Sequence, residues 1–127
     1  MTFLIKGIST FFPRDFYPVI SPVIGALGAF ITGSNSNSNV LFSGLQLQTA
    51  KLLTLPVAWI LAAQTTGAAI GSIMAPAKIV LGFQTVGLQN RKGQVIGKLI
   101  LICMVLILIS GGLTYFFAII YPFSLSN

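Results

Sequence analysis

The sequence predicts an all-α integral membrane protein built from a re-entrant helical hairpin, one broken transmembrane helix and one continuous C-terminal transmembrane helix. Three observations lead there. Hydrophobic residues make up 55% of the 127 positions and charged residues 6%, against roughly 25% charged in a soluble domain. Residues 99–121 run without a charge, enough for the ~20 apolar residues of a spanning helix. The run Gly33-Ser34-Asn35-Ser36-Asn37-Ser38-Asn39 sets a small, polar, helix-hostile loop between two apolar arms.

Taken in order, residues 2–12 are weakly apolar and broken by Lys6 and Gly7. They are too short to span and read as the end of a longer helix. They also lack the basic start, apolar core and small-residue cleavage site of a signal peptide. Pro13, Pro18 and Pro22 then punctuate the approach to the first arm, where proline suits a helix start because it fixes φ and removes a donor. Gly25, Ala26, Gly28 and Ala29 follow at spacings that allow close helix contact in a membrane bundle. The first arm, residues 19–31, is about 13 residues or roughly 20 Å as a helix, and the second, residues 40–50, is about 11 residues or roughly 16 Å. Neither crosses about 30 Å of hydrocarbon. Residues 13–50 therefore read as a hairpin that enters the membrane, turns near its middle and leaves on the same side. Non-helical backbone at that depth survives only inside protein or beside a wet cavity.

Residues 52–86 are longer than one straight span. Their apolar pattern is interrupted at residues 64–72 and resumes at Ile73, with Pro76 and Lys78 inside it. They read as one crossing broken in the middle, the arrangement that builds substrate and ion sites in secondary transporters. Residues 89–98 form a polar, basic loop, and residues 99–121 form the last transmembrane helix, with Tyr115 and Tyr121 toward its far end. Arg91, Lys92 and Lys98 make this loop the densest cluster of positive charge. The positive-inside rule puts it in the cytoplasm, which leaves both hairpin feet and Asn127 outside.

The net charge of +6 does not mark a nucleic-acid binder, because the seven cations are scattered and flank apolar runs. Cys103 is alone, so disulfides and cysteine metal clusters within the chain are excluded. With no His and only Asp15 as an acid, acid–base catalysis by this chain is disfavoured, and no cofactor motif is present.

The candidate site residues are Gly33, Ser34, Asn35, Ser36, Asn37, Ser38 and Asn39 at the tip, with Gln64, Thr65, Thr66 and Gly67 at the interruption. Asn amides and Ser hydroxyls both donate and accept. Backbone N–H groups that open a helix at Val40 favour a carboxylate, while carbonyls and hydroxyls could coordinate a cation instead. The plain alternative for the tip is an extramembrane Ser/Asn linker. For residues 64–72 it is ordinary helix packing through small residues. Lys78 could pair with an anionic substrate or snorkel to the cytoplasmic face.

From Phe30 to Phe42 the chain resembles the bacterial L-lactate permease family, with Thr32-Gly33-Ser34-Asn35-Ser36-Asn37-Ser38-Asn39 at the centre of the likeness. The stretch from Leu61 through Gln64-Thr65-Thr66-Gly67 to Ile79 resembles it too, as do Thr85-Val86-Gly87-Leu88, the basic loop and the last helix. The likeness covers only the C-terminal portion of these larger permeases. It implies a bacterial inner-membrane, multi-pass carrier that takes up L-lactate, and often glycolate, by symport with protons. It also implies that the tip and residues 64–72 line one half of the site, with an absent N-terminal half as the partner. The competing class is a small integral membrane subunit or interaction protein without transport activity of its own.

Overall fold

The computed structural model describes residues 2–11, 13–87 and 89–120, and all the regular structure among them is helical. The order is α1 (Thr2–Phe11), α2 (Tyr17–Thr32), α3 (Asn35–Leu52), α4 (Val57–Ile73), α5 (Pro76–Val86) and α6 (Lys92–Tyr115). A short 3-10 turn, Gln89–Arg91, precedes α6, and a π-helical turn, Phe116–Ile120, continues it. The sequence expectations that fall on Phe12, Leu88 and residues 121–127 lie outside the described residues.

α2 begins at Tyr17 with Pro18 in its first turn, and carries Pro22 inside. It stops at Gly33, which adopts φ 71°, a left-handed conformation that glycine takes without steric cost. The Gly33 N–H donates to the Ala29 carbonyl at 2.8 Å. Ser34 is extended and caps the next helix, its hydroxyl accepting from the Asn37 N–H at 3.2 Å. The turn is therefore two residues long. This corrects the sequence expectation of a seven-residue irregular loop: residues 35–39 form the first turns of α3. A good N-cap and a tight glycine stop let the Ser/Asn run continue as helix despite its low propensity. The arms lengthen accordingly, to 16 residues in α2 and 18 in α3.

The break in the third apolar segment also lies elsewhere than expected. α4 runs unbroken through residues 64–72, and the chain bends by 42° at Met74 and Ala75. Pro76 explains the position. It lacks an N–H and disfavours helical backbone at the residue before it, and Ala75 is accordingly extended at ψ 128°. α5 ends at Gly87, again left-handed at φ 70°. The last helix starts earlier than the charge pattern suggested: Lys92 and Lys98 belong to α6, so the basic loop contracts to a few residues.

Among the described residues, one helix is long and apolar enough to cross a membrane, Lys92–Ile120, and α4 with α5 qualifies as one bent span. α2 is the hub. α3 returns antiparallel beside it, α4 runs parallel to it, and α6 descends along it. The α2–α4 contact is backbone against backbone. A methyl added at Gly67 would strike the Pro22 carbonyl, one at Gly71 the Ala26 carbonyl, and one at Gly25 the Gln64 carbonyl. Small residues at these positions let the helices close, which is how helices associate where lipid removes the hydrophobic drive.

Two apolar clusters mark the ends of the bundle. At the foot, Tyr17, Ala50, Leu55 and Ile60 pack with Ile119 against them, and Trp59 stacks on Phe117 at 4.7 Å. Toward the tip, Ala26, Met74, Cys103 and Ile107 pack together. The end of α6 thus lies on the same side as the hairpin feet. Arg14 ties those feet together, donating to the carbonyls of Leu53 at 2.9 Å and Thr54 at 3.2 Å, and it pairs with Asp15 at 3.3 Å.

Candidate functional site

The tip of the hairpin and the break of the bent span meet. A methyl placed on Gly33 would lie 3.9 Å from the Ala75 Cβ, ordinary van der Waals contact. Two helices therefore begin in one neighbourhood, α3 after Ser34 and α5 after Ala75. Both openings carry the positive end of a helix dipole, although Ser34 caps the Asn37 N–H, the Lys78 N–H donates to the Ala75 carbonyl, and Pro76 has no N–H to offer. Lys78 stands in the first turn of α5, exposed, and its side chain lines an apolar groove with Ile73, Phe83 and Leu99. The groove supports the long stem of a snorkelling lysine.

Behind the tip runs a continuous row of buried polar side chains. The Tyr17 hydroxyl donates to Gln46 Oε1 at 2.6 Å, and Gln46 Nε2 donates to the Ser21 carbonyl at 3.1 Å and to Gln64 Oε1 at 2.8 Å. Gln64 Nε2 reaches Ser38 Oγ at 3.2 Å, the Ser38 carbonyl at 3.4 Å and Asn39 Oδ1 at 3.5 Å. Ser38 Oγ donates to the Gly25 carbonyl at 2.8 Å, and Asn39 Nδ2 to Asn35 Oδ1 at 3.1 Å. Ser21 closes onto the Ile60 carbonyl at 3.0 Å. Gln46, Gln64, Ser38, Ser21 and Tyr17 are all fully buried. Burying an unpaired amide costs roughly 1–3 kcal/mol on the protein scale, and no buried side-chain N or O atom among the described residues lacks a partner.

The sequence candidates separate into four groups in this geometry. Ser38, Asn39, Gln64 and Asn35 come together in the row. Gly33, Ser34, Ser36 and Asn37 form the turn and the first turn of α3, with Ser36 and Asn37 exposed. Thr65 and Thr66 face away on the outer side of α4, and the Thr66 hydroxyl turns back to the Ala62 carbonyl at 2.8 Å. Gly67 is buried as a packing contact against Pro22.

Sequence reasoning missed Gln46, Tyr17 and Ser21. A signal was present for Gln46. It follows Ser38 by eight residues and Asn39 by seven, so all three share a face of one helix, but reading α3 as starting at Val40 hid that register.

Comparison with known proteins settles the family. Residues 6–121 match the family described as L-lactate permease. The chain belongs to that family. A putative L-lactate permease of Haemophilus influenzae is 35% identical over 85 residues, 67% of this chain and 16% of the relative. The glycolate permease GlcA of Escherichia coli K12 is 35% identical over 78 residues, 61% of this chain and 14% of the relative. The L-lactate permease of Streptococcus iniae is 50% identical over 52 residues, 41% of this chain and 11% of the relative. The chain therefore spans about one sixth or less of the length of these relatives. No solved structure matches it. The family and these relatives are described as permeases, bacterial membrane transport proteins rather than enzymes.

Proposed function

We propose that this chain supplies one half of the substrate site of an inner-membrane secondary transporter for L-lactate and related small hydroxy-carboxylates such as glycolate, working by symport with protons. The observation that carries the reading is the contact of the hairpin tip with the span break, Gly33 against Ala75. It gathers two helix N-termini, the Ser/Asn amides and Lys78 on one side of the bundle, and each of these favours a carboxylate. Relatives named for lactate and for glycolate transport agree with that ligand class. Thr65 and Thr66, on the outer face of α4, would serve the site only where the remaining permease polypeptide closes over them.

The chain's one acid, Asp15, is exposed at the hairpin foot and paired with Arg14. A carboxylate that carries the coupling proton therefore belongs to the part of the permease beyond this chain. In the membrane, α2 and α3 form the re-entrant hairpin, α4 and α5 the broken span, and α6 the last crossing. Arg91 and Lys92 face the cytoplasm and the hairpin feet lie opposite, as the position of Ile119 against the Tyr17 cluster supports.

The test uses a full-length relative with transport measured at matched surface expression. Asn35→Ala should raise the apparent Km for L-lactate by about tenfold or more, since a hydrogen bond to a charged group contributes about 1.5–3 kcal/mol. Ser43→Ala, on the following stretch of α3, should change it little. Normal transport by both Asn35→Ala and Asn37→Ala, with the protein in the membrane, would return the tip to a turn that only packs.

A further inference from the structure

Every carboxamide in the buried row points the same way, and two backbone carbonyls fix that direction. A carbonyl oxygen only accepts, so the Gln46 group facing the Ser21 carbonyl at 3.1 Å must be its NH2. The same logic turns the Gln64 NH2 toward the Ser38 carbonyl at 3.4 Å. With Gln46 Nε2 also on Gln64 Oε1 at 2.8 Å, Gln64 presents its donors to α3, where Asn39 Oδ1 receives one at 3.5 Å. Asn39 then gives its own NH2 to Asn35 Oδ1 at 3.1 Å. The Asn35 NH2 is the far end of the row, in the first turn of α3, at the tip.

We infer that Gln46 is a positioning residue: through Gln64 and Asn39 it holds the Asn35 carboxamide with its NH2 leading, so that the tip offers a carboxylate a donor rather than an oxygen. The inference rests on the transport-site reading above for its ligand, but the direction of the row is a property of the chain itself. A carboxamide has nearly the same shape whichever way it is turned, so packing alone does not choose its direction. At a tip that must receive an anion, the wrong direction sets oxygen against oxygen. Gln46 starts the row from deep inside the bundle, about three turns of α3 from the tip, its NH2 claimed by both the Ser21 carbonyl and the next amide. Gln64, held likewise by the Ser38 carbonyl and Asn39, passes the same direction on. Tyr17 donates to the other end of Gln46 and agrees with the direction without setting it.

Gln46→Glu tests this with a nearly isosteric change. The introduced carboxyl, once ionised, only accepts. Its charge draws a Gln64 donor toward it, against the pull of the Ser38 carbonyl, and Asn39 and Asn35 follow, ending with the Asn35 oxygen at the tip. In its protonated form the same carboxyl still donates once and preserves the wild-type direction. The 15N-labelled full chain in lipid nanodiscs is observed through its side-chain NH2 resonances, with L-lactate as the probe. In wild type, L-lactate should shift the Asn35 NH2 resonance. In Gln46→Glu, raising pH through the titration of the introduced carboxyl should move the Gln64, Asn39 and Asn35 resonances together and weaken L-lactate about tenfold or more. Below that titration both should return to wild-type behaviour.

Tyr17→Phe removes a buried hydrogen bond from the same row without freeing Gln46 from Ser21, and should bind L-lactate nearly as wild type. Should Gln46→Glu not fold when ionised, as judged by its helical circular dichroism, Gln46→Met removes the donor without a charge and should still displace the Gln64 and Asn39 resonances. Stationary Gln64, Asn39 and Asn35 resonances in these variants, or equal loss of L-lactate in Tyr17→Phe, would make Gln46 a packing residue and overturn the inference. Resonances that move as a row in a chain whose Asn35 ignores L-lactate would uphold the positioning role and remove the transport-site reading instead.

Discussion

α4 and α6 are both apolar helices packed on α2, and they meet it in opposite ways. α4 buries Ile60, Ala63, Gln64, Gly67, Ala68, Gly71 and Ser72, a continuous stripe at helical spacing. Its glycines bring backbone onto the Pro22 and Ala26 carbonyls, and its one large polar residue joins the amide row. α6 buries only Cys103, Ile107, Gly111 and Thr114, a narrow seam, while Leu101, Ile102, Met104, Leu108 and Leu113 face outward. Hydrophobicity does not separate the inner helix from the peripheral one. Residue size and polarity along the buried stripe do, because in an apolar solvent close packing and hydrogen bonds are what distinguish protein from lipid.

The largest expected effect probes that backbone contact. Gly67→Ala puts a methyl into the Pro22 carbonyl. Neither backbone can yield without opening the helix pair, and overpacking of this kind costs about 1–3 kcal/mol or more. Gly112→Ala, on the open side of α6 with nothing within 4 Å, should leave stability unchanged or raise it by about 0.5–1 kcal/mol. Thermal unfolding in detergent micelles measures both, and equal losses would erase the distinction between the two helices.

A middle-sized effect belongs to Gln64→Leu. It leaves the Gln46 NH2 with only the Ser21 carbonyl and removes a donor from Ser38, for a loss of about 1–3 kcal/mol. Leu106→Ala on the exposed face of α6 should cost much less. A Gln64→Leu protein as stable as wild type would mean that the row orients the tip without holding the bundle together.

The smallest effect on stability is expected for Pro76→Ala. Restoring an N–H and relaxing the preceding residue should reduce the 42° bend. Spin labels at exposed positions 62 and 84, in a Cys103→Ser background, should move apart as α4 and α5 straighten. A persisting bend would assign the break to the contacts of Met74 and Ala75 with the hairpin rather than to the proline.

The comparison also explains which parts of the fold and site were legible in the sequence. The last long apolar helix was, because an uncharged run of that length is long and apolar enough to cross a membrane. A helical hairpin turning within the Ser/Asn run was legible too, but not where it turns: the run reads as loop to Asn39, whereas Gly33 ends α2 and the Ser34 cap starts α3 at Asn35. Residues 64–72 misled for the reason that makes α4 an inner helix. Polar and small residues look like an interruption along the sequence, yet on a helix Gln64, Gly67, Ala68, Gly71 and Ser72 line up on one side. The true break needed Pro76, which was visible but read as incidental. At the tip, Ser and Asn suggested irregular backbone by propensity, and the Ser34 cap outweighed it.

By itself the sequence determined the helical class, the number of apolar segments, a hairpin turn in the Ser/Asn run, and the inventory of amides and hydroxyls. These depend on local propensity and on hydrophobic period, which neighbouring residues carry with them. Only the tertiary structure decided that Gly33 meets Ala75, that Gln46 joins Gln64, and that Thr65 and Thr66 turn away from the row. Those facts depend on how α3 and α4 rotate about their axes when glycines let α2 approach, and a rotation of one residue, about 100°, exchanges inside for outside. The direction of the amide row is the last step of that kind. The row holds four of the chain's carboxamides, and the Ser21 and Ser38 carbonyls, brought alongside by packing, determine which end of each one leads.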